Sequence, residues 1–323
     1  MKINSSNTSD HEGPEHQQMP WTLWLRGVIG VITVLGNLLV ILLILTRPSL
    51  RTTSNWFVLS LAVADFLVGL IIFSIALVFI FVYPFKGYGV YLVLATHDFV
   101  LHASTSNLCA LTLDRYIRIV HPLKQNLLRK KSSVVMLLAF SWTVAFLLPF
   151  IRLFLRIFIQ DSKVTRSYST FLLCLDTFPC VFLPVAYFRV LCVVKHQRAQ
   201  ITRQMSQLRH NYPVNSNEEE MCEKNKRSAN VLGGVIVFFV ITNVLYTVGA
   251  WLHFLGIPTQ NATLSRISLL LLNTNSVNNI FVYGLFKKDF REEMAKVFCR
   301  KPGNRVGSIR ICGSPTTRNM AEM

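Results

Sequence analysis

The sequence predicts an all-α membrane protein built as a bundle of seven transmembrane helices. Of its 323 residues, 52 % are hydrophobic and only 15 % are charged, whereas roughly 25 % of the residues in a typical soluble domain are charged. The same composition excludes a disordered chain, because disorder goes with low hydrophobicity. Seven stretches reach the length of about 20 apolar residues that crosses a bilayer. The apolar excess is therefore expected to face lipid.

The seven predicted spans follow one another along the chain. They are Trp21–Leu45, Trp56–Tyr83, Tyr88–Val120, Ser132–Leu155, Phe171–Val194, Ala229–Leu255 and Leu264–Phe286. The third is the most polar, and it is expected inside the bundle because lipid cannot solvate its histidines and aspartates. The predicted organisation is an extracellular N-terminus (1–20), the transmembrane bundle (21–286), a membrane-surface helix (287–299) and a disordered cytoplasmic tail (300–323).

Lys and Arg residues beside the span ends predict the orientation, since cytoplasmic loops are rich in them. The connections after spans one, three and five and the C-terminal tail hold most of these residues. The net charge of +17 is thus read as an inside-positive signal that attracts anionic lipid, and not as a nucleic-acid surface. The N-terminus is expected outside the plasma membrane, and N-x-[ST] signals predict glycosylation there at Asn4, Asn7 and Asn261.

A set of short motifs appears in order on the spans. The motifs are Gly36-Asn37-Leu38-Leu39-Val40, Leu61-Ala62-Val63-Ala64-Asp65, Asp114-Arg115-Tyr116, Trp142, Pro179 with Tyr187, and Asn275-Ser276 with Asn279-Ile280-Phe281-Val282-Tyr283. Together they resemble the rhodopsin-like (class A) G-protein-coupled receptors, over residues 36–299. The resemblance implies a receptor that binds an extracellular ligand in the bundle and activates a heterotrimeric G protein, with no enzymatic activity of its own.

The resemblance also implies a G-protein switch at the cytoplasmic ends of the helices. Its expected members are Asp114, Arg115, Tyr116, Tyr187, Asn279 and Tyr283. In related receptors this arginine is released on activation, contacts the two tyrosines and receives the end of a G-protein helix. A heterotrimeric G protein is the implied partner, and arrestin is a second one.

Asp65 lies in the middle of span two, where a carboxylate without partners is costly. Polar residues of spans one, three and seven are expected around it: Asn37, Ser104, Asn275, Ser276 and Asn279. In the family this constellation holds a sodium ion at the aspartate, and oxygen ligands suit such a hard cation. A water-filled network without sodium is the alternative, and no other cofactor is expected.

The ligand is expected in the outer half of the bundle. The candidate contact residues are His97, Asp98, Leu101, Arg152, Asp176, Asn243, Tyr246 and Asn273. Amine receptors of the family carry aspartate where this chain has His97, and Asp98 lies about 100° further around the helix. Basic residues at the outer span ends favour an anionic small molecule, lipid or peptide over an amine. Arginines that only contact lipid head groups would explain those residues equally well.

The chain lacks a disulfide that the family usually has between span three and the second outer loop. The position expected for its first cysteine is Val90, and the predicted loop, about Arg156 to Tyr168, is short. Melanocortin, cannabinoid and lysophospholipid receptors share these two traits. The missing disulfide and short loop therefore point to that branch of the family.

Spans six and seven depart from the family motifs FxxCWxPF and NPxxY. Asn243 and Leu245 replace the tryptophan and proline of the first, and Ile280 replaces the proline of the second. Without proline a helix keeps its hydrogen bonds and is straighter. The residue that usually pairs with Arg115 is Asn225 instead of an acid. Without that acid, the ion pair that restrains Arg115 in the inactive receptor is weakened, which predicts raised basal signalling.

After span seven, basic and apolar residues alternate with helical spacing, which predicts an amphipathic helix on the membrane. Cys299 at its end is a predicted palmitoylation site, although an unmodified cysteine explains it nearly as well.

The sequence leaves two other functions open. An atypical receptor that binds ligand or dimerises without coupling fits the lost tryptophan and prolines. A small-solute transporter would need inverted repeats, which the sequence does not show.

Overall fold

Seven long helices and one short helix make up the computed structural model, which describes residues 21–81, 87–122, 130–208, 216–257, 262–286 and 288–298. In chain order they are α1 Trp21–Thr46, α2 Thr53–Phe81, α3 Tyr88–Val120, α4 Lys131–Phe154, α5 Ser162–Leu208, α6 Ser216–Phe254, α7 Ala262–Phe286 and α8 Lys288–Phe298. The predicted all-α bundle is confirmed. We call the end that holds the start of α1 the outer end, and the end that holds α8 the inner end.

Five of the helices in the described residues, α1, α2, α4, α5 and α6, are long and apolar enough to cross a membrane by themselves. The other two long helices, α3 and α7, carry more polar side chains. In α3 the polar residues Ser104, Asn107 and Asp114 are buried, and the helix packs against α2, α4 and α5. The bundle shields these groups from lipid, so α3 takes the interior position that its composition predicts.

The largest apolar core lies in the inner half of the bundle. Phe57 of α2, Leu183 of α5, Ile236 of α6 and Phe290 of α8 are each at most 1 % exposed and belong to one cluster. Leu50, in the turn that joins α1 to α2, is buried in the same cluster. The short helix α8 is therefore anchored to the bundle by an aromatic side chain.

The second outer loop, predicted at about Arg156 to Tyr168, is almost entirely helical. A π-helical turn over Leu155–Ile159 continues α4, and α5 begins at Ser162. Gln160 turns the chain with a left-handed backbone (φ 52°). Asp161 caps α5, because its Oδ1 accepts a hydrogen bond from the backbone N–H of Lys163 at 2.7 Å. The prediction of a loop was wrong because this cap starts the helix before its apolar stretch.

In the described residues Cys109, Cys174, Cys180 and Cys192 are free thiols. Several predictions lie outside the described residues. These are the glycosylation sites Asn4, Asn7 and Asn261, the palmitoylation site Cys299 and the tail 300–323.

Candidate functional site

Asp65 is the centre of a buried polar network in the middle of the bundle. Its side chain is 0 % exposed. Oδ1 accepts a hydrogen bond from Ser104 Oγ at 2.6 Å, and Oδ2 accepts one from Asn279 Nδ2 at 2.7 Å. These bonds join α2 to α3 and α7, and they offset the loss of water around the carboxylate.

Asn37 extends this network to α1. Its Nδ2 donates to the backbone carbonyls of Thr33 at 3.0 Å and Ser276 at 3.3 Å. The Oδ1 atoms of Asn37 and Asn279 are buried and have no hydrogen-bond partner. The carboxylate of Asp65 and the buried amide oxygens can offer a cation only oxygen ligands, and a hard cation such as sodium prefers these. The residues present therefore fit the ion that the resemblance implies.

Asn275 belongs to a different contact. Its Oδ1 accepts a hydrogen bond from Thr242 Oγ1 of α6 at 2.7 Å. This corrects the expectation that Asn275 faces Asp65. Asn275 and Asn279 lie one turn apart on the same side of α7, but Asn275 lies at the level of Thr242 of α6 and bonds to it. Asn275 joins α7 to α6, whereas Asn279, one turn further on, faces the carboxylate.

A second polar network, which the sequence analysis did not single out, joins α2, α3 and α4. Ser60 Oγ donates to Asn107 Oδ1 at 2.7 Å and accepts from Trp142 Nε1 at 2.9 Å. Asn107 Nδ2 donates to the backbone carbonyl of Ala103. The motif residue Trp142 thus holds the central helix α3 indirectly, through a serine of α2.

At the inner end of α3, Asp114 is 0 % exposed. Its Oδ1 accepts a hydrogen bond from Arg118 Nε at 2.7 Å, and its Oδ2 accepts one from Ser54 Oγ of α2 at 2.8 Å. Arg118 reaches it because residues four apart lie on one face of a helix. Tyr116 makes an edge-to-face contact with His121, with 5.7 Å between ring centroids. The carboxylate of the Asp114-Arg115-Tyr116 motif therefore positions this end of α3 against α2.

Tyr187 of α5 lies directly against Gly233 of α6. A Cβ atom placed on Gly233 would be 1.9 Å from Tyr187 Oη, which is far inside contact distance. Only glycine leaves room for the phenol here, so Gly233 has a packing role in addition to the flexibility that a glycine suggests. Tyr283, the other tyrosine of the expected switch, lies in α7, and its side chain is outside the described residues.

The outer ionic cluster consists of His97, Asp98 and His102 of α3, Arg152 of α4 and Asp176 of α5. Arg152 and Asp98 form a close ion pair through Nη2 and Oδ2. His102 Nε2 lies 3.0 Å from Asp176 Oδ1, and His97 Nδ1 lies 3.9 Å from Asp98 Oδ1. His102 was missed as a site residue, although its position four residues after Asp98 puts both on one helix face.

Four of the predicted ligand contacts make no hydrogen bond or ion pair in the outer ionic cluster. Leu101 packs against the apolar cluster of α2 and α3. Asn243 Nδ2 donates to the backbone carbonyl of Phe239 at 2.9 Å. Asn273 is 1 % exposed, and its Oδ1 has no hydrogen-bond partner. Tyr246 keeps 36 % of its surface exposed. Of these groups, the buried oxygen of Asn273 most needs a further donor.

Two more arginines near the outer end stack on aromatic rings. The Arg156 guanidinium carbon lies 4.4 Å from the centroid of the Tyr91 ring, and that of Arg166 lies 5.5 Å from the centroid of Phe254. Arg156 and Arg152 border a small cleft between α3 and α4. Such cation–π contacts hold a guanidinium in place without cancelling its charge.

The comparisons identify similar proteins over most of the chain. The sequence model of the family described as "7 transmembrane receptor (rhodopsin family)" matches residues 36–283. The 5-hydroxytryptamine receptor 2C of Mus musculus is 28% identical over 190 residues, 54% of this chain and 41% of that receptor. The histamine H2 receptor of Cavia porcellus is 24% identical over 315 residues, 91% and 85% of the two chains. The adenosine receptor A3 of Bos taurus is 24% identical over 277 residues, 82% and 85%.

These relatives bear on the branch that the sequence analysis indicated. None of the three is a melanocortin, cannabinoid or lysophospholipid receptor. The comparisons therefore do not support the melanocortin, cannabinoid and lysophospholipid branch to which the missing disulfide and the short outer loop pointed.

Proposed function

Because this chain belongs to the rhodopsin family of seven-transmembrane receptors, we propose that it binds an extracellular ligand in the outer half of the bundle and activates a heterotrimeric G protein. The cytoplasmic ends of α3, α5, α6 and α7 would form the G-protein surface. Members of this family are signalling receptors of the plasma membrane and not enzymes. The N-terminus outside and the C-terminus in the cytosol belong to the proposal.

The arrangement at the inner end of α3 carries this proposal. Asp114 is buried and bound from two sides, so the following residue, Arg115, sits at a defined height on α3. Ile119 of α3 packs against Val190 and Val194 of α5 in one buried cluster. The inner ends of α3 and α5 are thus packed together. The contact between Tyr187 of α5 and Gly233 of α6 holds α6 at the same end.

The shape of α6 supports a rigid-body opening of this end. α6 is continuous from Ser216 to Phe254, and with Leu245 at the family's proline position it keeps the backbone hydrogen bond that proline would remove. Kinks usually need proline, a pair of Gly or Ser residues, a π-bulge or an inserted group, and α6 runs as one helix through its own Gly233-Gly234 pair. For Tyr187 to reach Arg115, its contact with Gly233 must open, and a movement of α6 away from α5 as a unit would open it.

Basal G-protein activation in transfected cells tests the proposal. The wild type is compared with Arg115→Ala at equal surface expression, for each main G-protein class. Arg266→Ala is the matched control, because Arg266 is an exposed arginine near the opposite end of the bundle. We expect a wild-type signal that Arg115→Ala abolishes and Arg266→Ala retains. Equal signals from the wild type, Arg115→Ala and mock-transfected cells in every class would contradict coupling and favour the atypical receptor.

We also propose that Asp65 holds a sodium ion, with Ser104, Asn279, Asn37 and Ser276 around it. The two buried amide oxygens without partners support this, because each lacks a donor in the described structure. A bound cation would supply the positive charge that the buried carboxylate lacks. In the chain itself, Ser104 and Asn279 hold the carboxylate between α3 and α7.

For the ligand we propose an anionic group that contacts the outer arginines. Arg152 is paired with Asp98, whereas Arg156 lies over an aromatic ring at the edge of the same cleft. An amine is the second candidate, since two of the named relatives are receptors for 5-hydroxytryptamine and histamine. A G-protein assay with matched panels of carboxylates, lysophospholipids and amines separates the two. An anionic ligand should lose potency with Arg156→Gln, and an amine with Asp98→Asn or Asp176→Asn.

A further inference from the structure

The small cleft between α3 and α4 opens sideways, towards the bilayer. Tyr91 and Leu94 of α3 line one side of it, and Arg152 and Arg156 of α4 line the other. Leu94 is exposed, and so is Phe154 of α4 beside the two arginines. Exposed apolar side chains on the outside of a membrane bundle face lipid, which is as apolar as they are. A molecule in this cleft therefore contacts both the protein and the surrounding lipid.

Arg156 lies at the depth of the lipid head groups. The chain turns at Gln160 before α5 begins at Ser162. Arg156 is four residues before that turn (160 − 156), which is about 6 Å at the rise of a helix. The head-group region on each side of a bilayer is roughly 5–7 Å thick. The guanidinium of Arg156 therefore lies where lipid phosphates are found.

The two arginines of the cleft differ in their partners. Arg152 forms a close ion pair with Asp98, so its charge is balanced. Arg156 lies over the Tyr91 ring, with 4.4 Å from the guanidinium carbon to the centroid, and it has no ion-pair partner among the described residues. Stacking leaves the N–H donors at the edge of the guanidinium available. The cleft thus offers one unbalanced positive charge and a planar set of donors, which fits one phosphate diester.

The backbone that carries Arg156 has a rare form. Leu155–Ile159 is a π-helical turn, closed by a hydrogen bond of 3.1 Å from the backbone N–H of Gln160 to the carbonyl of Leu155. Such turns occur frequently at functional sites. The turn and the Tyr91 ring together hold the guanidinium at the cleft, so it loses little freedom when it binds an anion.

We propose that this cleft binds the phosphate of an anionic phospholipid that enters from the outer leaflet between α3 and α4. The phosphate contacts Arg156 and the remaining donors of Arg152, and an acyl chain lies along Leu94. The inference rests on the ligand proposal above and deepens it, because it names the anion and the side from which it arrives. A zwitterionic phospholipid fits less well, since the cation of its own head group offsets the charge that Arg156 recognises.

Photo-crosslinking in lipid nanodiscs tests the inference on the purified full-length chain. The probe is phosphatidylglycerol with a diazirine in one acyl chain, added in a small proportion to phosphatidylcholine. The same label on phosphatidylcholine is the comparison. Peptide mapping separates adducts at the cleft from adducts at the basic inner end. We expect roughly fivefold more adducts at the cleft from phosphatidylglycerol, the preference that one arginine near a membrane surface gives an anionic lipid.

Arg156→Gln should remove most of this preference. Arg166→Gln is the matched control and should keep it, because Arg166 also stacks on an aromatic ring, Phe254, but does not line the cleft. Tyr91→Phe keeps a ring beneath the guanidinium and should keep the preference, whereas Tyr91→Leu should lower it. If Arg156→Gln fails to fold, the two variants of Tyr91 decide the question.

Three results would overturn the inference. The first is equal labelling of the cleft by the two lipids, and the second is a preference that Arg156→Gln leaves unchanged or that Arg166→Gln reduces equally. The third is loss of the labelling in excess glycerol 3-phosphate, because the site would then take a soluble anion from water. None of these measurements involves a G protein. A lipid preference without any basal signal would contradict coupling alone, and a signal that Arg115→Ala abolishes without the lipid preference would contradict the lipid site alone.

Discussion

Gly36 of α1 lies directly against Ile280 of α7. A Cβ atom placed on Gly36 would be 2.3 Å from Ile280 Cδ1. Ile280 stands where the family motif NPxxY has proline, and α7 runs as one helix from Ala262 to Phe286. An isoleucine keeps its backbone N–H for the helix but needs space for its side chain. The glycine of α1 provides that space, one residue before Asn37 of the buried polar network.

The first prediction is that Gly36→Ala destabilises the bundle. The added methyl group forces α7 away from α1, and overpacking of this kind costs about 1–3 kcal/mol. The Tm of the purified chain should fall by several degrees. Gly27→Ala is the matched control, because a Cβ there would lie an ordinary 3.8 Å from Ala76 Cβ. If Gly36→Ala combined with Ile280→Ala stays as unstable as Gly36→Ala alone, the contact is not the cause.

The second prediction concerns the contact between α5 and α6. Gly233→Ala should displace the Tyr187 ring, because the new methyl group takes the place of its hydroxyl. We expect basal G-protein signalling to rise several-fold at equal surface expression, since the tyrosine no longer holds α6 against α5. Gly249→Ala, at a position where a Cβ meets no atom within 4 Å, should leave signalling unchanged. A basal signal in Gly233→Ala no higher than in Gly249→Ala would count against this restraint.

The third prediction tests sodium at Asp65. The wild-type Tm should be higher in sodium chloride than in choline chloride at equal ionic strength, because the ion binds only the folded bundle. Asp65→Asn removes the charge that attracts the cation and should abolish this difference. Asp161→Asn changes an exposed carboxylate and should keep it. A wild type with the same Tm in both salts would leave the network as a hydrogen-bonded one without sodium.

The fourth prediction concerns the attachment of α8. Glu293 Oε1 accepts hydrogen bonds from Lys296 Nζ at 2.8 Å and Ser49 Oγ at 3.1 Å, and Oε2 lies 3.5 Å from Arg47 Nε. The Lys296 ammonium beside it holds the pKa of the Glu293 carboxyl below its ordinary value. A lowered pKa in the folded state means that these contacts stabilise the protein above the ordinary pKa of about 4.3 and are lost as the pH falls further.

The Tm difference between the wild type and Glu293→Gln measures this contribution. It should be constant from neutral pH down to about pH 5 and shrink below about pH 4, as the carboxylate takes up its proton. Glu292→Gln changes the neighbouring carboxylate on the exposed face of α8 and is the control. A difference that grows as the pH falls would have the wrong sign and would exclude the assigned contacts.

Much of the outline could be predicted from the sequence because it depends on local properties. The bounds of α3, Tyr88–Val120, agree with the prediction. The loop after α4 was predicted wrongly, since hydropathy ends with the apolar stretch whereas a helix continues until its hydrogen bonds end. One capping residue, Asp161, made that difference.

The contacts around Asp65 follow the sequence-based expectation only in part. Asp65, Ser104 and Asn279 meet as expected, whereas Asn275 faces α6. His102 was not predicted as a site residue, because its partner Asp176 lies 74 residues further along the chain (176 − 102). Only the packing of α3 against α5 brings the two side chains together.

The sequence by itself determined that this is a seven-helix membrane receptor and which helix lies inside, because hydropathy, span length and short motifs are read along one chain. Only the tertiary structure decided which side chains meet across helices. Gly36 with Ile280 and Gly233 with Tyr187 are examples, since a missing Cβ matters only where another helix packs against it. The same holds for His102 Nε2 and Asp176 Oδ1, which lie 3.0 Å apart, because groups far apart in sequence interact only after the helices have packed.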